Sequence, residues 1–186
     1  MITQAGRGSG GPWSTTCNGW LRADVGPARY RRAVADQRGT GHPVTLTGVP
    51  ARPTAVVAAA TTWPEFPSLW PELSGEVWAC LRAAGITRGC RNIMRYLDDQ
   101  PNVEVGVELL EPCPLTGRVV ASELPAGRVA MTTHWGSYAE LGAAHEAVVA
   151  YCAARGLRRT GQRWEVYGPH NDDPAQVWTE VYWQLA

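Results

Sequence analysis

Side chains alternate between two faces near the end of the chain. Residues 164–167 (Trp-Glu-Val-Tyr) and 178–183 (Trp-Thr-Glu-Val-Tyr-Trp) follow each other across a polar turn. A period of two is typical of β-strands, in which successive side chains point to opposite faces. Trp178, Glu180 and Tyr182 therefore share one face of the second strand. A carboxylate between two large aromatic side chains is unusual in a core, so the pattern indicates either a solvated strand or a binding site around Glu180.

The pattern upstream predicts six further strands and two helices. A helix is expected from residue 71 to Gly85, after a proline-rich loop over residues 62–71, because apolar side chains recur every three or four residues. A second helix is expected over residues 138–155, followed by Gly156, which is a typical helix stop. The strands are expected over residues 44–47, 54–62, 93–97, 103–109, 118–124 and 128–135.

This order of elements occurs twice. Val49-Pro50-Ala51 has a counterpart in Leu124-Pro125-Ala126. The sequence therefore predicts an α+β fold made of duplicated strand–helix–strand–strand units, each preceded by one more strand, in repeats over about residues 43–110 and 118–185. The units are expected to form an antiparallel sheet with two main helices packed on it. A central groove is expected at the pseudo-twofold seam between the repeats, where ligand sites are common.

Composition narrows the possible functions. The chain has 186 residues, of which 45% are hydrophobic and 18% are charged, and its formal net charge is zero. One domain or two related lobes is expected at this length, and neither nucleic acid nor a membrane is expected to bind through overall charge. Nine Trp and six Tyr against one Phe suit a ligand clamp, because these side chains combine a flat apolar body with a polar tip. No apolar run reaches the ~18 residues of a membrane span.

Residues 1–41 are rich in Gly and Arg. We expect an irregular N-terminal arm there; a nucleic-acid-binding tail is the less favoured alternative, because aromatic residues are few. The five Cys form no C-x-x-C pair, and residues 1–20 do not have the pattern of a signal peptide. Reduced thiols and a cytoplasmic location are therefore expected.

Four segments of the second half resemble the GyrI-like domain family, which includes the effector-binding domains of multidrug-sensing bacterial transcription activators. The segments are Leu124-Pro125-Ala126-Gly127, His134-Trp135-Gly136-Ser137-Tyr138, Trp164-Glu165-Val166-Tyr167 and Thr179-Glu180-Val181-Tyr182-Trp183. The resemblance covers residues 42–186 and is weaker in the first half. It implies a duplicated fold with a central aromatic pocket for bulky planar, often cationic molecules, and a buried glutamate that here matches Glu180.

We expect the working site around Glu180, either as a counter-charge for a cationic ligand or as a general base that activates water. Tyr167 is expected either to hydrogen-bond Glu180 or to donate to a ligand oxygen. Glu104 is the counterpart of Glu180 in the first repeat. The other expected ligand-binding residues, which would stack on or border a planar ligand, are Trp63, Trp70, Tyr96, Glu104, Trp135, Trp164, Trp178 and Tyr182. His134 and His145 have no carboxylate or Cys at ligand spacing, so no metal is expected, and no cofactor motif occurs.

Three functions remain open at this point. The first is a stand-alone binder of planar or aromatic drug-like molecules, for protection against a toxin or antibiotic; the surplus of Trp and the lack of a recognisable helix-turn-helix module favour it. The second is a hydrolase, as some family members are, that opens the strained cyclopropane-type ring of a DNA-alkylating natural product with water placed or activated by Glu180. The third is a protein-binding protector of gyrase, which the sequence supports least.

Overall fold

The computed structural model describes residues 41–100 and 102–186. The arm expected over residues 1–41 lies outside these residues, apart from Gly41. The described part of the chain contains ten main elements: β1 Thr45–Val49, β2 Arg52–Ala60, α1 Phe66–Ala83, β3 Asn92–Tyr96, β4 Asn102–Glu108, β5 Val120–Leu124, β6 Gly127–Trp135, α2 Leu141–Ala154, β7 Arg159–Tyr167 and β8 Trp178–Leu185. Short 3-10 turns, Tyr138–Glu140 and Pro174–Gln176, precede α2 and β8.

The first helix starts earlier than the sequence predicts. The sequence predicts a loop as far as residue 71, but α1 begins at Phe66. Pro67 lies in the first turn, where backbone N–H groups have no partner within a helix, so its missing N–H costs little. Pro71 lies inside the helix and removes one intrahelical hydrogen bond. The additional turn carries Phe66 and Trp70, and both rings pack against the core under α1.

Both helices end as the glycines predict. Gly85 and Gly156 have φ values of 84° and 61°, in the left-handed region that favours glycine, and each follows the last turn of a helix. A 3-10 turn leads into α2, and at its start the Ser137 hydroxyl accepts a hydrogen bond from the backbone N–H of Ala139.

The order of strands in the sheet confirms the duplication. Across the described residues the order is β1-β6-β8-β7-β3-β4-β2-β5, and neighbouring strands are antiparallel. Exchanging the first repeat (β1–β4) for the second (β5–β8) gives the same order read backwards. The pseudo-twofold axis therefore passes between β3 and β7. Glu104 pairs with Arg95 on β3, and Glu180 pairs with Val166 on β7, so the two glutamates occupy equivalent places.

Two short links force the sheet to curl. β5 lies at one end of the sheet and β6 next to the other end, yet only Pro125 and Ala126 join them. Such a link spans at most about 11 Å, because consecutive Cα atoms are about 3.8 Å apart. Pro50 and Ala51 make the same short link between β1 and β2. The two ends of the sheet therefore approach each other, which explains why these Pro-Ala pairs recur in the two repeats.

The curled sheet has two different faces. The inner face encloses a core that includes residues from both ends of the sheet: Val56, Ile93, Leu124, Val129, Trp164, Val166 and Tyr182. The other face, which we call the helix face, packs against α1 through Val105 and Met94 and against α2 through Val181 and Trp183. The central strands are thus buried on both faces. Within the described residues, neither helix is long and apolar enough to cross a membrane.

Candidate functional site

A cleft of ≈ 820 Å³ opens on the helix face of the sheet, over the seam between β3 and β7. Its volume lies in the range of small-molecule sites. α1 and the loop before it contribute aromatic side chains to one wall, and α2 with the turn before it forms the other wall. The main lining side chains are Trp63, Phe66, Trp70, Tyr96, Tyr138, His145, Arg163, Glu165, Tyr167 and Trp183.

Among the described residues, Glu165 is the carboxylate that lines this cleft. It lies on β7 at the seam and is 3% exposed. Tyr96 donates its hydroxyl to Oε1 at 3.1 Å, and Nε2 of His145 lies 2.7 Å from the same oxygen. Tyr167 donates its hydroxyl to the other oxygen, Oε2. These contacts offset the cost of burying a carboxylate, which is several kcal/mol for an unpartnered charge.

The two tyrosines act as hydrogen-bond donors. Burial, reinforced by the negative charge of Glu165, raises the pKa of Tyr96 and that of Tyr167 above the ordinary value of 10.0. Both hydroxyls therefore keep their protons at neutral pH. Tyr96 and Tyr167 are counterparts in the two repeats, so the duplication supplies a matched pair of donors to one carboxylate.

Aromatic rings surround the carboxylate. The Trp63 ring centroid lies 5.7 Å from that of Tyr96, and Tyr167 contacts Trp70 at 6.0 Å and Tyr138 at 5.6 Å. These separations are typical of favourable ring pairs. Trp63 is 48% exposed, so it forms part of the rim of the cleft.

The cleft also holds a cation, Arg163. Its guanidinium lies 4.7 Å from the ring centroid of Tyr96 and 4.8 Å from that of Trp183. Nη1 donates to the Asp99 carboxylate at 3.1 Å. The Arg163 side chain is 9% exposed and the Asp99 side chain 85% exposed, so the ion pair runs from the cleft to the surface. The rings of this cleft therefore already stack on a cation.

The structure brings together four of the residues that the sequence selects. Trp63, Trp70, Tyr96 and Tyr167 line the cleft. The expected pairing of Tyr167 with Glu180 differs from the structure, because alternation along β7 and β8 places the two side chains on opposite faces of the sheet. Tyr167 donates to Glu165 instead.

Glu180 lies on the inner face, away from the cleft. It is 3% exposed, accepts a hydrogen bond from the Tyr182 hydroxyl at 2.9 Å, and lies 3.6 Å from Nη1 of Arg91. Trp164 is fully buried on this face and stacks on Tyr182 with centroids 5.4 Å apart. Around Glu180 the structure thus shows an ion pair and a stacked core.

The remaining expected residues also lie outside the cleft. Glu104 is on the inner face, where Arg95 donates to it at 3.0 Å. Trp135 lines a second, smaller cavity of ≈ 380 Å³ beside His42 and His134. Trp178 packs against Gly168 at the edge of the cleft: a Cβ added to Gly168 would lie 2.5 Å from the Trp178 ring.

The sequence reasoning missed Glu165, Arg163 and Trp183, and it considered a functional role for His145 only as a metal ligand, which it rejected. A signal for Glu165 existed, since alternation puts it on one face with Tyr167, just as it puts Glu180 with Tyr182. No sequence signal told which face would meet the helices. Within the described residues, no group of three or more His, Cys, Asp or Glu side chains could hold a metal ion. The four described cysteines are free thiols.

Comparison with known proteins identifies the fold. No curated protein matches the sequence significantly. Among solved structures, the chain is similar to EcmrR in a complex with DNA, with 18% identity, a TM-score of 0.65, and 85% of this chain covering 62% of that one. The chain thus spans less than two thirds of EcmrR, whereas it covers 98% of the separate EcmrR C-terminal domain, with 18% identity, a TM-score of 0.59 and 78% of this chain aligned.

Two further structures share the fold. SAV2435, solved bound to tetraphenylphosphonium, has 11% identity and a TM-score of 0.56, with 77% of this chain covering 94% of it. A hydrolase from Listeria innocua has 13% identity and a TM-score of 0.50, with 84% of this chain covering 98% of it. At these identities the likeness shows the fold alone. The family model of the GyrI-like small-molecule-binding domain matches residues 42–186. The resemblance predicted from the sequence is thereby confirmed, and the chain belongs to the GyrI-like small-molecule-binding domain family.

Proposed function

We propose that this protein binds bulky planar or aromatic small molecules in the cleft over the β3–β7 seam, with a preference for cations, and so protects against toxic compounds of this kind. One observation carries the proposal: Glu165, a carboxylate that is 3% exposed, lies among aromatic side chains in a cleft of ≈ 820 Å³. The role that the sequence assigns to Glu180 passes to Glu165 in this proposal.

The hydrogen bonds of Glu165 leave room for a ligand. A carboxylate has about four acceptor positions. Tyr96 and His145 use two of them on Oε1, and Tyr167 uses one on Oε2. One position on Oε2 remains for a donor or a positive charge of the ligand.

The aromatic walls favour the same ligand class. Each well-formed ring pair adds about 0.5–1.5 kcal/mol beyond the burial of apolar area, and a cation over a ring adds a similar amount. Trp63, Trp70 and Tyr138 offer such surfaces around Glu165. Tetraphenylphosphonium, the compound bound by SAV2435, combines aromatic rings with a positive charge and is a suitable probe.

Calorimetry with two probes of equal shape and opposite charge tests the proposal. We expect tetraphenylphosphonium to bind and tetraphenylborate to bind much more weakly. Glu165→Gln should weaken tetraphenylphosphonium binding about thirtyfold, which corresponds to about 2 kcal/mol for a charged contact. Glu146→Gln, at an exposed position on α2, is the matched control. Equal affinity for the two probes, or an unchanged affinity in Glu165→Gln, would refute the proposal. The tetraphenylphosphonium affinity of Glu180→Gln shows which of the two carboxylates contacts the ligand.

The arrangement of Glu165 with two tyrosine hydroxyls supports hydrolysis as a second candidate function. Glu165 would accept a proton from a water molecule, whose oxygen bonds to a carbon of a strained ring. The ring bond breaks, and its electron pair moves to the electron-accepting group of the substrate, stabilised by a tyrosine hydroxyl; that group then takes up the proton from Glu165, which returns to the carboxylate. Mass spectrometry of a cyclopropane-bearing alkylating compound should then show the gain of one water. Turnover that persists in Glu165→Gln would exclude Glu165 as the base.

A further inference from the structure

Trp183, His145 and Glu165 form a chain of hydrogen bonds in one wall of the cleft. Nε1 of Trp183 lies 3.1 Å from Nδ1 of His145, and Nε2 of His145 lies 2.7 Å from Oε1 of Glu165. An indole N–H can donate but cannot accept, so Nδ1 of His145 must carry a lone pair. The ring proton is therefore on Nε2, where it donates to the carboxylate.

We propose that His145 is a positioning residue that Trp183 fixes in its Nε2–H tautomer, and that this fixed donor holds Glu165 turned so that Oε2 faces the ligand. The inference rests on the proposed function, in which Glu165 receives the cation. It adds a cause of the charge preference: a His145 that could accept as well as donate would let the carboxylate turn, so that Oε2 would meet a cationic ligand less well and the cleft would discriminate less between charged and neutral ligands.

The three groups around Glu165 act as hydrogen-bond donors to it. Tyr96, Tyr167 and His145 each present a proton to the carboxylate. Of these three groups, His145 is best able to become an acceptor, because moving its proton to Nδ1 exposes the Nε2 lone pair, which would repel Oε1 instead of holding it. The N–H of Trp183 opposes that move, since it would then point at another N–H.

Packing holds the imidazole in this place. The His145 ring meets Tyr96 edge-on, with centroids 6.2 Å apart, and Trp183 edge-on at 5.9 Å. Its neighbours on the buried side of α2, Ala144 and Val148, are fully buried, so the helix cannot rotate to release it. The His145 side chain is 18% exposed, which is consistent with its place in the cleft wall.

The duplication offers an internal comparison. Met94 in the first repeat corresponds to Glu165 in the second, because each lies two residues before the equivalent tyrosine. Ser74 corresponds to His145, because each lies at the same distance before the glycine that follows the helix. Val107 corresponds to Trp183, because Val107 pairs with Asn92 and Trp183 pairs with the equivalent residue, Arg163. The first repeat therefore replaces all three members of the chain by Met94, Ser74 and Val107. The three residues are present together in one repeat and absent together in the other, as expected of one working unit.

Nitrogen NMR of protein labelled in histidine reads the tautomer directly, and calorimetry reads the charge preference. For the wild type we expect the His145 signals of the Nε2–H form. Trp183→Phe keeps an aromatic ring but removes the donor, so it should give a mixture of tautomers. It should also lower the affinity ratio of tetraphenylphosphonium to neutral triphenylphosphine oxide about tenfold, the effect of one hydrogen bond to a charged group. Trp164→Phe is the matched control, because Trp164 is equally enclosed but lies on the inner face.

Two changes at His145 separate positioning from packing. The Gln amide can accept from Trp183 and donate to Glu165 at once, so His145→Gln should keep most of the affinity ratio, whereas His145→Leu should lose it. An Nε2–H signal and a ratio that both persist in Trp183→Phe would overturn the inference, as would a ratio that survives in His145→Leu. If the wild type binds neither probe, the proposed function fails, but an unchanged tautomer in Trp183→Phe still overturns the positioning by Trp183, and a changed one supports it.

Discussion

Gly106 is the position where the smallest change should have the largest effect on stability. It lies on β4 opposite Val56 of β2, at the place equivalent to Tyr182 in the second repeat. A Cβ added to Gly106 would lie 1.9 Å from the carbonyl oxygen of Ala55 and 2.8 Å from Cα of Val56. Both atoms belong to the backbone of β2, so no side-chain rotation relieves the contact.

The magnitude follows from the distance that must be gained. An ordinary contact needs ~3.4 Å, so β2 and β4 would have to separate locally by about 1.5 Å in Gly106→Ala. Overpacking a tight core costs about 1–3 kcal/mol, and a strained or broken ladder hydrogen bond adds ~1 kcal/mol. We expect a loss of about 2–4 kcal/mol, which lowers the melting temperature by about 10 °C in a domain of this size.

Thermal and urea unfolding measure this loss, with Gly48→Ala as the matched control. Gly48 also lies in a strand, β1, but a Cβ added there has no atom within 4 Å. Its free energy of unfolding should change by less than about 0.5 kcal/mol. If the two variants melted within a few degrees of each other, the close approach of β2 to β4 at Gly106 would be refuted.

Three further changes probe the cleft and its rim. Gly168→Ala should displace the Trp178 ring, whose atoms would lie 2.5–2.7 Å from the new Cβ, and weaken tetraphenylphosphonium binding; an unchanged affinity by calorimetry contradicts this. Trp63→Ala should reduce that affinity about threefold to tenfold with little change in melting temperature, because Trp63 is 48% exposed at the rim. Because the folded-state pKa of Tyr96 is raised, its contribution to stability is complete below pH 10.0 and is lost as the pH rises above that value; alkaline unfolding should be less steep in Tyr96→Phe than in the wild type.

The duplication and most elements of this fold could be predicted from the sequence. Each repeat has its own local markers: apolar periods of two and of three to four residues, a glycine that ends each helix, and a Pro-Ala pair between the first two strands. These signals act over a few residues and need no knowledge of the tertiary structure. The start of α1 is an exception, because Pro71 reads as a helix start when it in fact lies one turn inside the helix.

The sequence could not predict which face of the central strands meets the helices and lines the cleft. Alternation shows which side chains share a face, but it assigns that face to solvent or core only when one side is polar. β7 and β8 are buried on both faces, by the helices on one and by the curled sheet on the other. Glu180 and Glu165 each lie next to aromatic residues in sequence, so the pattern could not decide between them. Their partners decide: Arg91 lies near Glu180, whereas hydroxyls and an imidazole surround Glu165.

The pseudo-twofold axis explains why a single carboxylate of the described residues lines the cleft of this duplicated fold. Met94 and Glu165 are direct partners across the seam, and they are 0% and 3% exposed. Residues directly opposite on antiparallel strands have Cβ atoms about 5 Å apart, so a symmetric site would hold two buried carboxylates in contact. In Met94→Glu we therefore expect a lower free energy of unfolding at pH 7 than in Met94→Gln, which has similar size and no charge. The difference should shrink as the pH falls, because one carboxyl takes up a proton. Equal stability of the two variants at pH 7 would show that charge repulsion is not the reason why only one repeat supplies a carboxylate at this position.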